Sequence, residues 1–287
     1  MSSRVFDDKG VMPDFLFIGP DKAGSSWLFE VLQRVEGVFV APAKDLYYFD
    51  RYYHLGPDWY ASQFVGGRGA GAVGEISHDY LFSSIAAQRI CLDIPKVKLI
   101  VSLREPVSRM FSHYLYLRRS GLAAAGFADA LDGCPELIEK SSYGKHLKNY
   151  MEFFPREQIH VAWFDQLVDD PLSYLNGILR FLSAPQVDKV PVAGPVRPAS
   201  AARSAALARI AKAGAEITRH FGMPRLVSSV KHNRLVSGLL YQEFRQEERP
   251  RMTADERVKA ADLLRSDVRL LEVVLGKELP DWPASAP

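Results

Sequence analysis

Apolar positions along this chain alternate between short continuous runs and helical spacings. Residues 14–18, Asp14-Phe15-Leu16-Phe17-Ile18, form an apolar run of strand type. A polar stretch follows at 19–26, and then Trp27, Leu28, Val31, Leu32 and Val35 recur at helical spacing. The same order returns at 97–103, a buried-strand run broken by Arg104-Glu105-Pro106. Proline suits the first turn of a helix. Beyond it Val107, Met110, Phe111 and Tyr114 share one face, with Ser112 at its edge and Arg109 pointing away. A third run at 158–164 leads through a polar turn into a helix from about 171 to 182.

After a Pro-rich loop at 184–198, an Ala/Arg-rich helix is predicted from about 201 to 220. A last helix carries Ala261, Leu264, Val268, Leu271 and Leu275. Strands alternating with helices predict an α/β fold with a central, mainly parallel sheet flanked by helices. There is neither an internal repeat nor a clear linker. The expectation is one domain over residues 1–287, with 1–12 as a flexible N-terminus.

Charge narrows the partners. With 36 basic and 34 acidic residues the net charge is +2, so no global field draws the chain to nucleic acid or a membrane surface. An anionic ligand would have to be held by local charge. The two cysteines, Cys91 and Cys134, form neither a metal-ligand spacing nor a disulfide framework. The polar first 13 residues lack the apolar stretch of a signal peptide, and no run approaches a membrane span, so a cytoplasmic location is expected.

The loop at 19–26 carries the first candidate chemistry. Ligands of open parallel sheets sit at the carboxyl ends of strands, and a helix N-terminus attracts phosphate. Gly19 and Gly24 have the spacing of a nucleotide-triphosphate loop, but Ser25 stands where that motif needs lysine, and the lysine lies earlier, at Lys22. The stretch Lys22-Ala23-Gly24-Ser25-Ser26-Trp27-Leu28 resembles instead the 5′-phosphosulfate loop of sulfotransferases that use 3′-phosphoadenosine 5′-phosphosulfate (PAPS), with Ala23 replacing a common Ser or Thr. A second signature of that family is met by Arg104, Pro106, Arg109, Ser112 and Tyr114 at the right offsets. A third, G-E-x-S-x-x-Y, is met by Gly74, Glu75, Ser77 and Tyr80, and is of the heparan-sulfate type.

The resemblance is strongest from Asp14 to Tyr116 and weaker beyond. It implies a P-loop nucleotide-kinase-like sulfotransferase fold, PAPS as donor, PAP as product and no required metal. It implies nucleotide binding by Lys22, Ala23, Gly24, Ser25, Ser26 and Trp27, and 3′-phosphate binding by Arg104 and Ser112 with Tyr143 nearby. Glu75 takes the general-base position, His78 is the rival base, and Lys22 and Lys44 are the candidates to assist the leaving group. Arg109 is expected to brace the loop.

A basic loop that closes over the nucleotide could draw on Arg197, Arg203, Lys231 or Arg234. The aromatic residues Tyr47, Tyr48, Phe49, Tyr52, Tyr53, Trp59 and Tyr60 either fill the core or wall an acceptor. The acceptor itself, a glycan or other small molecule offering a hydroxyl or amine, is not written in the sequence. A homo-oligomer is compatible with it. The competing reading is a small-molecule or nucleotide kinase sharing the strand–loop–helix phosphate site.

Overall fold

The run Phe15–Gly19 forms β1, and every residue of it is buried. In the computed structural model this strand is the middle of five described parallel strands in the order β2-β3-β1-β4-β5. The structure describes residues 11–191 and 250–279, the short stretches 200–202, 220–223 and 241–243, and the single positions Gly214, Thr218 and Trp282. The other strands are β2 (Val38–Val40), β3 (Ala72–Ile76), β4 (Lys98–Leu103) and β5 (Ile159–Trp163). A central parallel strand is covered on both faces, so it is apolar throughout rather than alternating. Phe15 and Phe17 enter a cluster with Leu28, Val31, Leu175 and Ile178, while Leu16 and Ile18 enter the cluster on the opposite face with Val73, Leu99 and Val101.

Helices α1 (Ser25–Leu32), α2 (Gly56–Ser62), α3 (Ser84–Asp93) and α4 (Pro106–Arg119) connect the strands up to and beyond β4. Then come α5 (Phe127–Gly133), α6 (Pro135–Glu139), α7 (Tyr143–Met151), α8 (Phe164–Asp169) and α9 (Pro171–Leu182). The last helix, α10 (Ala254–Leu275), begins on a Thr253–Glu256 capping box and stops at Gly276 in the left-handed conformation.

Helix α10 lies against α7 and fixes its start. The Asp267 carboxylate accepts from the backbone N–H groups of Gly144 (2.8 Å) and Lys145 (2.9 Å), two of the donors that the first turn of a helix leaves unpaired. A Cβ at Gly144 would run into the Asp267 carbonyl, so glycine is what lets the two helices meet.

Three differences from the sequence reading have physical reasons. Strand β3 is unreadable as a strand because Gly74 and the charged Glu75 interrupt its apolar pattern. Gly74 is there because a Cβ would collide with the Phe15 ring on β1. Helix α1 ends at Leu32, before Val35, because the chain turns at Gly37 (φ 77°) to enter β2. Ser200–Ala202 opens no helix: it pairs antiparallel with Tyr241–Glu243, forming β6 and β7. Gly214, Thr218 and His220 are helical. The remainder of that predicted helix, residues 1–10, and the four candidate closing residues Arg197, Arg203, Lys231 and Arg234 lie outside the described residues.

Candidate active site

At the carboxyl end of β1 the chain turns through residues 20–24 into α1. Gly24 caps that helix at φ 90°, and a Cβ there would strike Leu167 of α8. Conformation and space both demand glycine. Ala23 is fully buried, Ser25 is buried, and Ser26 and Trp27 are half-buried along the first turn, with Trp27 meeting the Tyr174 ring edge-on at 5.9 Å.

Lys22 stands on the turn at φ 62° with its Nζ 4.1 Å from the centre of the Tyr116 ring. Burial lowers its pKa to about 8; Asp21 opposes the shift, and the charges of Arg119, Arg109 and Lys44 reinforce it. Its neighbour Asp21 accepts from Arg109 Nη1 at 2.8 Å and contacts His113 Nδ1 at 2.7 Å. Burial works against the Asp21 carboxylate, yet Arg109 and His113 outweigh it and hold Asp21 well below the usual carboxylate range. Arg109 thus ties the loop to α4.

Arg104 follows β4 and donates to the Lys22 carbonyl at 3.1 Å while its guanidinium lies 4.7 Å from the Phe164 ring centre. Burial pulls its pKa down, with Tyr143, Glu105 and Asp165 acting in the other direction. Tyr143 opens α7 and is fully buried, with Arg109 and Arg104 as charged neighbours. Neither its hydroxyl nor Nε and Nη2 of Arg109 has a hydrogen-bond partner among the described residues. Buried donors without acceptors are costly unless a ligand completes them. Ser112 is half-buried on α4, three residues beyond Arg109.

A second cluster gathers beyond β3. Lys44 Nζ donates to Asp45 Oδ1 (2.9 Å), the same oxygen lies 2.6 Å from His78 Nδ1, and Tyr47 Oη lies 3.2 Å from His78 Nε2. Arg51 lies over the Tyr47 ring and pairs with Asp79, whose other oxygen takes Lys140 at 3.1 Å. This cluster borders the phosphate loop: Lys44 acts on the Lys22 ammonium, and the His78 carbonyl would lie 2.5 Å from a Cβ at Gly19.

Glu75 is set apart from it. The carboxylate has no exposed surface and accepts from Tyr60 Oη (2.6 Å), Ser77 Oγ (2.5 Å) and Tyr80 Oη (2.8 Å). Burial raises its pKa to about 7 even though the three hydroxyls favour the anion. A carboxyl whose folded pKa is raised contributes stability at low pH that is lost as pH rises through the folded value. Urea unfolding of the wild type is therefore expected to show stability falling between about pH 5 and about pH 8, and Glu75→Gln is expected to flatten that part of the profile. An unchanged profile in the variant would assign the slope to another group.

Sequence similarity to known proteins agrees with this geometry. The sulfotransferase domain model matches residues 12–192 of the chain. The chain belongs to the sulfotransferase family. Human heparan sulfate glucosamine 3-O-sulfotransferase 5 is 27% identical over 196 residues, which cover 63% of this chain and 56% of the relative. Human bifunctional heparan sulfate N-deacetylase/N-sulfotransferase 3 is 27% identical over 193 residues, 60% of this chain and 22% of that protein. The chain thus spans about half the length of the first relative and a fifth of the second.

Among solved structures, a sulfotransferase from Alicyclobacillus acidocaldarius superposes with a TM-score of 0.69 at 23% identity, over 95% of this chain and 99% of the other. A mouse sulfotransferase complexed with PAP does so with a TM-score of 0.51 at 16% identity, over 96% and 93%. These likenesses establish the sulfotransferase fold.

Of the candidates, Arg104 bonds the Lys22 carbonyl and neighbours Tyr143, while Lys44 contacts His78 and bears on the Lys22 ammonium. Glu75 is enclosed beside them under Tyr60 and Tyr80. Tyr48, Phe49 and Tyr60 are core residues, with Tyr48 and Tyr60 stacked at 4.3 Å. Sequence reasoning did not assign Asp21 or Tyr116, and it left Tyr60 between a core role and an acceptor wall. The signal available for Asp21 was an acidic residue beside a phosphate loop, which asks for a basic partner elsewhere.

Proposed function

We propose that this chain transfers a sulfuryl group from PAPS to a hydroxyl or amine of a carbohydrate or other small acceptor. The observation that carries the reading is the convergence of buried, acceptorless donors, Arg109 Nε and Nη2 and Tyr143 Oη, with Arg104 beside a glycine-capped phosphate loop bearing Lys22. Such a set fits an anion with two separated charged ends. Bound PAPS supplies the activated sulfuryl group and a stable leaving phosphate. Lys22, Ser25, Ser26 and the loop N–H groups of Ala23 and Gly24 would hold the phosphosulfate end, with Trp27 flanking them. Arg104, Ser112 and Tyr143 would hold the 3′-phosphate.

The Lys22 ammonium would meet the negative charge that grows on the leaving oxygen during in-line displacement. Sulfate carries less charge than phosphate, so lysines suffice where phosphoryl transfer uses a metal. Two groups compete for the proton of the acceptor. The family resemblance points to Glu75. The geometry favours His78, whose side chain retains 20% exposure while Glu75 has none. We take His78 as the proton acceptor and Glu75 as the buried anchor of Tyr60, Ser77 and Tyr80. The relatives named for glucosamine 3-O-sulfation support a sugar hydroxyl as the first acceptor to try.

Calorimetric titration with PAP in the absence of metal tests the donor. PAP is expected to bind at least about tenfold more tightly than Mg-ATP, since the loop lacks the triphosphate-loop lysine. Tight Mg-ATP binding without PAP binding would overturn this reading and make the chain a kinase.

A further inference from the structure

His78 is a usable base only if one ring nitrogen is kept free of its proton, and the structure shows what enforces that. We propose that Asp45 is a positioning residue that locks His78 in the Nδ1–H tautomer and presents the Nε2 lone pair to the acceptor. The proposal rests on the sulfotransferase reading for its chemistry and on geometry for its residues.

Asp45 Oδ1 lies 2.6 Å from His78 Nδ1. A carboxylate has no proton to give, and two lone pairs cannot approach that closely, so Nδ1 carries the hydrogen. The same oxygen accepts from Lys44 Nζ at 2.9 Å, which holds the carboxylate in place; Lys44 Nζ is farther from Nδ1, at 3.3 Å, than the carboxylate is. The nitrogen left over, Nε2, lies 3.2 Å from the Tyr47 hydroxyl, so that O–H is its donor. This is the contact that an acceptor hydroxyl would make. Asp79 Oδ1 lies 3.9 Å from Nε2, and Asp21 also interacts with the ring electrostatically.

The backbone is bent to bring the pair together. Asp45 (φ 62°) and Tyr47 (φ 53°) both adopt the left-handed conformation without being glycine. Such strain persists only where surrounding structure holds it, and it gathers at functional sites. Here the Asp45 N–H donates to the Ile76 carbonyl at 2.9 Å and the Tyr47 N–H to Ser77 Oγ at 3.4 Å, so the segment is pinned along the end of β3. The side chain of His78 follows directly, two residues past Ile76.

Nitrogen-15 NMR of the histidine-labelled full chain reads the tautomer without an acceptor. The wild type is expected to show His78 protonated at Nδ1 and free at Nε2. Asp45→Asn is expected to lose that preference and Asp45→Glu to recover it. Release of PAP from PAPS, in water and with a glucosamine oligosaccharide added, is expected to fall at least about tenfold in Asp45→Asn with PAP affinity held within about threefold, and to recover in Asp45→Glu. A His78 protonated at Nε2 in the wild type overturns the proposal. So does an Asp45→Asn variant with unchanged tautomer or PAP release, or one whose defect lies in PAP affinity. A wild type that binds no PAP overturns the sulfotransferase reading instead, and the tautomer still decides the Asp45–His78 pairing.

Discussion

Lys22→Met is expected to lower sulfuryl transfer at least about a hundredfold, the scale seen when one pre-placed donor to a developing charge is removed. Methionine keeps the length and the contact with the Tyr116 ring but removes the ammonium, so the effect reads charge rather than packing. PAP affinity is expected to fall less than turnover, because the charge on the leaving oxygen is greatest in the transition state. Equal losses in both would reduce Lys22 to a ground-state phosphate ligand.

The pH dependence supplies an independent check. Burial brings the Lys22 pKa down to about 8 in the free protein, so the ammonium begins to lose its proton there. An incoming phosphate favours the charged form and must restore that proton. PAP binding is therefore expected to weaken above about pH 8 and to take up protons in that range, whereas Lys22→Arg, which stays charged, is expected to bind without that limb. Calorimetry in buffers of different ionisation heat measures the uptake. Identical pH profiles for wild type and Lys22→Arg would show that another group sets the limb.

The phosphate loop is legible in the sequence because its parts are local: Lys22, Gly24, Ser25 and Ser26 lie within seven positions of a strand whose two faces are both buried. Strands β1 and β4 declare themselves as buried, largely apolar runs, and β5 as a half-buried one at the end of the sheet order. Strand β3 does not, since it carries Gly74 for the Phe15 ring and Glu75 for three hydroxyls, and both disrupt the pattern. Partnerships across the sheet are harder still. Asp45 and His78 are 33 residues apart, and Gly144 and Asp267 are 123 apart; only the fold makes either pair neighbours. Glu75 shows the limit of motif matching from the other side. The motif singles out Glu75, which lies in β3, but says nothing about Tyr60, 15 residues earlier, whose hydroxyl helps close it off.

Arg104→Ala is expected to separate the two ends of the nucleotide. Its guanidinium sits where β4 ends, bonded to the Lys22 carbonyl and near the unpartnered donors of Tyr143 and Arg109. A charge-assisted hydrogen bond contributes about 1.5–3 kcal/mol, so PAP affinity is expected to drop about 10- to 100-fold. Adenosine 5′-phosphosulfate, which lacks the 3′-phosphate, is expected to lose no more than about threefold, a change set by the looser Lys22 carbonyl. Arg104→Lys keeps a charge without the planar fork and is expected to fall between the two. Ser112→Ala provides the milder companion, with a loss smaller than that of Arg104→Ala and again confined to the ligand carrying the 3′-phosphate. If Arg104→Ala weakens both ligands equally, Arg104 supports the loop through the Lys22 carbonyl alone, and the 3′-phosphate passes to Arg109 and Tyr143.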